Sequence, residues 1–493
     1  MSVRFYNTMT NKKEEFVPLE EGKVGMYVCG ITAYDMCHIG HARSAVVFDV
    51  IFKYFKYRGY NVTYVKNFTD VDDKIIAKAN EEGTDISEIS ERYIKEHNED
   101  MDRFGIARPT MTPKATENIQ GMIRLISTLI EKGLAYDVDG DVYFSVGKFK
   151  QYGKLSGRHI EEMVAGARIE VDEKKTNPLD FILWKSAKEG EPWWDSPWGR
   201  GRPGWHIECS VMSQRFLGTT FDIHGGGRDL IFPHHENEIA QAEGASGEIF
   251  ARYWIHNGFI RVNQEKMSKS LGNIFNMREA MNQYHPEVLR LFMMHSHYRS
   301  PVDFSDESLA EARLGMERFY GTLRNIKQYL ATDIDFSALS SKSLTGNDEA
   351  IFEKVTTLPE RFTEAMDDDF NTARALGYIF DVVRLINGYC SDKKFRPTPE
   401  ALYVLNAAMT AIREVGKVLG LFLEDPDDYF EQDKKREAAK FGLNIDEIER
   451  LIEERQKARA AGNWKKADEI RDHLVSKKIT LKDTPETTTW TIG

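Results

Sequence analysis

A chain of 493 residues with 41% hydrophobic and 29% charged side chains has room for about three domains and the balance of an ordinary globular protein. Its formal charge of −12 excludes a nucleic-acid partner held by the global field, so any such contact must come from local patches. No apolar run reaches the ~18 residues that span a bilayer, and Lys12, Lys13, Glu14 and Glu15 stand where a secretory signal would need apolar residues.

Acidity lapses only in residues 431–493, which hold 14 Lys and Arg against 13 Asp and Glu. The four cysteines, Cys29, Cys37, Cys209 and Cys390, are far apart and form no CxxC pair. So few in so long a chain argue against a disulfide framework and for a reducing, cytoplasmic setting. The plain reading of each is a small buried hydrophobe.

In chain order, Val24–Cys29 predicts a buried strand. A turn follows, then an amphipathic helix from about Ile39 to Tyr57, with Val46, Val47, Val50, Ile51, Tyr54 and Phe55 at helical spacing. Gly59 ends it and Val62–Val65 begins a second strand, with Asn67-Phe68-Thr69-Asp70 at its C-terminal end. This β-α-β order predicts an α/β fold with a doubly wound parallel sheet, which binds ligands at such strand ends. Residues from about 115 to 200 read as an insertion of charged helices followed by tryptophan-rich loops, with the tryptophans as packing anchors. The sheet resumes from Gly204 to Ile260, with Tyr253-Trp254-Ile255-His256 as its last strand. Residues 306–425 read as almost wholly helical, with Asn371 or Thr372 as a cap. Acidic Glu424–Asp433 reads as a linker, Glu447–Ser476 as helix, and the remainder as a short Thr-rich end.

Two strings carry chemistry. His38-Ile39-Gly40-His41 opens the first helix, so two histidines three apart face one side, Gly40 admits a ligand close to the backbone, and the helix dipole favours anions. Lys266-Met267-Ser268-Lys269-Ser270 (residues 266–270) lies in a polar loop that can close over phosphates. Either string alone is a weak signal; in this order and context they predict a grip on one triphosphate. A third constellation suits a metal. His234 and Glu238 lie four apart, Cys209 follows Gly204-Trp205-His206-Ile207-Glu208 near a helix start, and Cys29 ends a strand. Two thiolates, a His and a Glu make a zinc site. On spacing alone the plainer reading, buried cysteines beside a surface His-Glu pair, wins, since only the His-Glu pair is local.

With these residues the chain resembles the cysteinyl-tRNA synthetases, a class I aminoacyl-tRNA synthetase family with HIGH and KMSKS motifs. The resemblance runs nearly end to end, through Met26-Tyr27-Val28-Cys29-Gly30, Thr69-Asp70-Val71-Asp72-Asp73-Lys74, Gly204 to Ser210, Asp222 to Gly227, Phe232 to Glu238, the lysine loop and Ala467-Asp468-Glu469-Ile470-Arg471. Many members carry Pro where this chain has Ile31.

The resemblance implies a Rossmann-like catalytic domain over 1–305 with the insertion, a helical anticodon-side bundle over 306–425 and a small anticodon-binding domain over 430–493. It implies ligation of L-cysteine to its tRNA through a cysteinyl-adenylate, with His38, His41, Lys266 and Lys269 catalytic. It implies one zinc ion (Zn2+) on Cys29, Cys209, His234 and Glu238 that reads the substrate thiol. Magnesium (Mg2+) accompanies ATP in such chemistry. Thr69, Trp205 and His224 are expected to line the amino-acid pocket, and Asp229, with Gly40, to face ATP. The chain is expected to act as a monomer, without a membrane. Two other readings share these motifs: a ligase that passes cysteine to a small amino-sugar, and a silent tRNA-binding paralogue. The tail with Arg471 and Trp490 speaks against the first, and the two whole motifs against the second.

Overall fold

The computed structural model describes residues 2–159, 174–262, 265–266, 275–331, 336, 339–483 and 488–492. Its centre is a four-stranded, all-parallel sheet in the order Ala251–Asn257, Phe221–Gly227, Lys23–Thr32, Asn61–Thr69. The strands are long where the chain supplies alternating Val, Met, Tyr and Ile. Lys23–Thr32 pairs with the next strand in sequence on one side and with Phe221–Gly227 on the other. The strand order therefore reverses here, and the crevice beyond these two C-terminal ends is the switch point of the sheet.

A register shift between Val28 and Ile31 marks a bulge at this end. Gly30 sits in it, donates its N–H to Asn67 Oδ1 at 2.8 Å, and has no room for a side chain, since a Cβ would fall 1.5 Å from Asn67 O. Such bulges re-aim a neighbouring side chain, here that of Cys29.

Helix Ile39–Tyr57 follows as expected, but it is not a surface helix with one polar face. Thirteen of its residues, from Ile39 to Phe55, are buried. The sheet covers one side and the helical region the other, in one continuous apolar core from Val3 to Tyr429. Arg290 bolts the two together: its guanidinium is buried, pairs with Asp49 Oδ2 of this helix at 2.6 Å and donates to Leu419 O at 2.8 Å.

The insertion differs from expectation. Among the described residues it holds one amphipathic helix, Ile119–Glu131, and then a five-stranded antiparallel sheet between Ala135 and Pro203. The helix and parts of that sheet close the opposite face of the central sheet in a second core. Trp184 is fully buried there, with Trp198 packed edge-on against it.

Among the described residues, six α-helices from Asp306–Tyr329 to Pro426–Lys440 form the helical region. Asn371 caps Thr372–Ser391 through its side chain. The stretch Glu424–Asp433 is no linker but the start of helix Pro426–Lys440. Asp425 caps it, Pro426 fits the first turn, Tyr429 stacks on Tyr320 at 4.0 Å, and Asp433 and Glu437 answer Arg313. Beyond it, helices Ile445–Ala460 and Trp464–Ser476 are separated at Gly462 (φ +72°), and the Thr-rich end forms a hairpin of Ile479–Asp483 and Thr488–Ile492. These pieces share a small core of their own around Ile448, Leu474 and Trp490. Among the described residues no helix is long and apolar enough to cross a membrane.

Candidate active site at the sheet switch point

Four segments converge at the crevice. Cys29 comes from the bulged strand end and Cys209 from the second turn of helix Trp205–Leu217. Glu238 lies in the first turn of helix Glu236–Ser246, and His234 in the wider turn Ile231–His235 just before it. His234 and Glu238 are thus not on one regular helix, yet His234 Nε2 reaches Glu238 Oε1 at 3.0 Å. Cys29 Sγ stands 3.7 Å from Cys209 Sγ and 3.4 Å from Glu238 Oε1. One ligand atom from each of the four lies within 4.8 Å of the other three.

A second set, Cys29, His224, His235 and Glu238, meets the same distance test and shares two members. In it, His224 Nε2 is already bound to Glu238 Oε2 at 2.7 Å, and His235 carries no second thiol beside it. The first set has two sulfurs and keeps one carboxylate oxygen aimed inward, and it is the better cation cage.

Its electrostatics point the same way. The hydrogen bond from Cys29 brings the Cys209 thiol down to about 6 against the opposing effect of burial. Burial and the Cys209 sulfur push Cys29 well up. Burial alone would lower His234, but Glu238 and Cys209 raise it to about 10. Burial likewise opposes ionisation of Glu238, yet His224 and His234 hold its carboxyl well below the usual range. Two anionic groups are thus gathered around protons on Cys29 and His234, the arrangement a divalent cation replaces when it binds.

Around this set lies a shell that the spacing did not reveal. His206 Nδ1 is 2.8 Å from His234 Nδ1, and Trp205 stacks on the His234 ring at 4.2 Å. His235 Nε2 is 3.4 Å from Cys29 Sγ, its Nδ1 meets His256 Nε2 at 2.8 Å, and His256 Nδ1 meets Thr8 Oγ1 at 2.8 Å. Burial brings both His206 and His256 down to about 3, so their rings are neutral. The doubled histidine at 234–235 is the one local signal for this shell.

Of the residues expected in the amino-acid pocket, Trp205 is 41% exposed at the mouth. Thr69 is buried and donates to Glu208 Oε2 at 2.6 Å. His224 is fully buried behind Glu238 and stacks on Trp254 at 4.4 Å, so it braces the cage rather than facing the mouth. Asp229 is exposed in the turn after Phe221–Gly227.

On the other side of the crevice His38 caps helix Ile39–Tyr57. Its Nδ1 accepts from Gly40 N at 3.1 Å and His41 N at 3.4 Å, and His41 Nδ1 accepts from His38 N at 3.4 Å. The rings stack at 3.7 Å. A neutral imidazole that accepts at Nδ1 carries its proton at Nε2, so both rings are set to donate there. Ile39 N donates to Phe275 O. The first three amides of the helix are therefore engaged, and this end presents its field and the two rings rather than open N–H groups. Lys266 lies in the short strand Glu265–Lys266, paired with Arg261. Lys269 and the rest of the lysine motif lie outside the described residues.

Comparison with known proteins adds three findings. Residues 15–314 match the family described as tRNA synthetases class I (C) catalytic domain, residues 361–424 the DALR domain, and residues 446–490 the cysteinyl-tRNA ligase anticodon binding domain. Cysteine–tRNA ligases of Geobacter metallireducens and Syntrophobacter fumaroxidans are 57% and 53% identical, each over 100% of both chains. Among solved structures, a Mycobacterium tuberculosis methionyl-tRNA synthetase with methionyl-adenylate shares the fold at a TM-score of 0.63 and 15% identity, over 86% of this chain and 94% of that one. An Agrobacterium radiobacter leucyl-tRNA synthetase complex does so at 0.58 and 12%, over 83% and 87%.

Proposed function

This chain belongs to the cysteine–tRNA ligase family, and from that premise we propose how its crevice selects and activates cysteine. The enzyme is an ATP-dependent class I ligase that joins cysteine to tRNA by way of a cysteinyl-adenylate.

The observation that carries the selection half is the spacing of the four inward atoms. Tetrahedral zinc with metal–sulfur bonds near 2.3 Å sets two sulfurs about 3.8 Å apart, and a nitrogen and an oxygen ligand about 3.4 Å apart. Here the sulfurs are 3.7 Å apart and His234 Nε2 and Glu238 Oε1 are 3.0 Å apart. Cys29, Cys209, His234 and Glu238 would hold the ion. Zinc in such a cage supplies a soft acceptor that takes a thiolate in preference to a neutral hydroxyl. Cysteine and serine differ by one atom, a difference an ordinary pocket resolves poorly. Trp205 walls the mouth, and Thr69, fixed by Glu208, orients the incoming amino acid. His224 keeps Glu238 turned toward its partners.

Activation falls to the facing side. The cysteine carboxylate attacks the α-phosphate of magnesium-bound ATP and pyrophosphate leaves. His38 and His41 donate from Nε2 to the phosphates, the helix field favours the developing charge, and Gly40 lets the nucleotide approach. Lys266 and Lys269 close over the β- and γ-phosphates, and Asp229 faces the ATP side. The bundle of 306–425 and the tail of 430–493 carry the anticodon side of the tRNA. The activity is cytoplasmic, and the chain acts as a monomer.

The test is charging of a tRNA pool with labelled cysteine, with serine as control. Charging by cysteine alone is expected. Adenylate formed without transfer to tRNA would point to a small acceptor instead.

A further inference from the structure

Helix Ile86–Arg103 carries no residue of either motif, yet it touches the residue before the histidine string and the short helix that follows the lysine loop. His97 Nδ1 lies 3.0 Å from the sulfur of Cys37, the residue immediately before His38, and both side chains are buried. Burial pushes the Cys37 thiol up to about 12 and brings His97 down to about 3, so this is a neutral S–H to N contact and not a reactive ion pair. On the same helix Glu96 and Asp100 clamp Arg278, whose Nη2 also donates to Glu96 O at 3.3 Å, with Glu99 at 3.6 Å. Asp100 is fully buried, so letting go of Arg278 would leave a carboxylate unpaired inside the protein.

Arg278 belongs to the short helix Met277–Gln283, the first described element after the lysine loop. Its N-cap, Asn276, forms an antiparallel bridge with His38. Phe275 O accepts from Ile39 N at 3.0 Å, and Met277 N donates to Cys37 O at 2.9 Å. A helix of seven residues has little hold of its own, and its place is set by these contacts together with the burial of Met277, Ala280 and Met281 in the core. The histidine turn and the foot of the lysine loop are thus laced to each other and to the same helix, the first through Cys37 and His97 and the second through the cluster around Arg278.

We propose that helix Ile86–Arg103 is a splint that keeps the two phosphate-gripping motifs in one register, with Arg278 and His97 as its positioning residues. This rests on the reading that both motifs grip ATP. The splint touches no substrate; it acts by fixing where His38 and the base of the lysine loop stand relative to each other. A displacement of about 1 Å in such a pair costs up to ~10²-fold in rate.

The experiment is single-turnover formation of cysteinyl-adenylate by the full-length, zinc-loaded enzyme, with cysteine affinity measured in parallel. Arg278→Gln keeps an amide donor for Asp100, and Glu96→Gln, which leaves the Arg278–Asp100 pair whole, serves as the second variant should Arg278→Gln fold poorly. In Arg278→Gln the rate should fall ~10–100-fold, the KM for ATP should rise, and cysteine affinity should stay within twofold. Glu96→Gln should do the same more mildly, and Arg278→Lys should recover part of the rate. Lys269→Ala is the comparator. A slow Lys269→Ala beside an Arg278→Gln within twofold of wild type overturns the splint and leaves the grip standing. Wild-type rates in both overturn the grip and the splint with it. Equal losses of cysteine affinity and rate in Arg278→Gln make the contact merely structural and also overturn the proposal.

Discussion

Glu238 divides its carboxylate: Oε2 lies 2.7 Å from His224 Nε2, while Oε1 lies 3.0 Å from His234 Nε2 and 3.4 Å from Cys29 Sγ. One oxygen is held from behind and the other is presented to the cage. This is how supporting groups fix metal-binding carboxylates, and their loss costs about 10–100-fold in affinity. His224→Gln should therefore weaken zinc binding by ~10–100-fold, read by competition with a chromogenic chelator. Unchanged zinc affinity would mean that His224 supports nothing.

The bulge that aims Cys29 depends on one glycine. A Cβ on Gly30 would fall 1.5 Å from Asn67 O, which belongs to the neighbouring strand and cannot step aside. Gly30→Ala should cost about 3 kcal/mol by overpacking and lower the zinc content at the same time. Denaturant midpoint and metal stoichiometry check both. A normal midpoint with full zinc would show that the strand end tolerates the shift.

Acid should destabilise the catalytic domain through His97. Its folded value is about 3, whereas an unfolded histidine titrates near 6.5. Below 6.5 the unfolded chain gains a proton that the native ring refuses, so stability is complete above that pH and is lost as pH falls toward 3. At pH 5 the loss is about 2 kcal/mol from this residue alone. The drop in denaturation midpoint between pH 7.5 and 5.0 should be smaller in His97→Gln than in wild type. Equal drops would mean that His97 is already charged in the native protein.

What the sequence discloses here is what is local. The cap at His38, the helix through Tyr57, the cap at Asn371 and the parallel strands are written in short-range spacing and in the polarity of single residues. The α/β fold and the membership of the family follow from such signals. The helix Pro426–Lys440 was masked because proline and acidic residues mark a linker as readily as a first helical turn; only Tyr320 and Arg313, a hundred residues away, decide between them. The hairpin in the insertion was signalled by Asp139-Gly140, both at positive φ, but its helical charge pattern obscured it. Of the histidine shell only the doubled histidine at 234–235 is a local signal, because His206 and His256 acquire meaning only when distant segments meet.

The central claim is that a metal held by Cys29, Cys209, His234 and Glu238 reads the thiol of the substrate. Its most direct test is Cys209→Ser, assayed for zinc content and for amino-acid-dependent pyrophosphate exchange with cysteine and with serine. The account predicts one zinc per wild-type chain with exchange driven by cysteine alone, and a variant that has lost both the metal and cysteine-dependent exchange. Full cysteine-dependent exchange in a metal-free variant would contradict it.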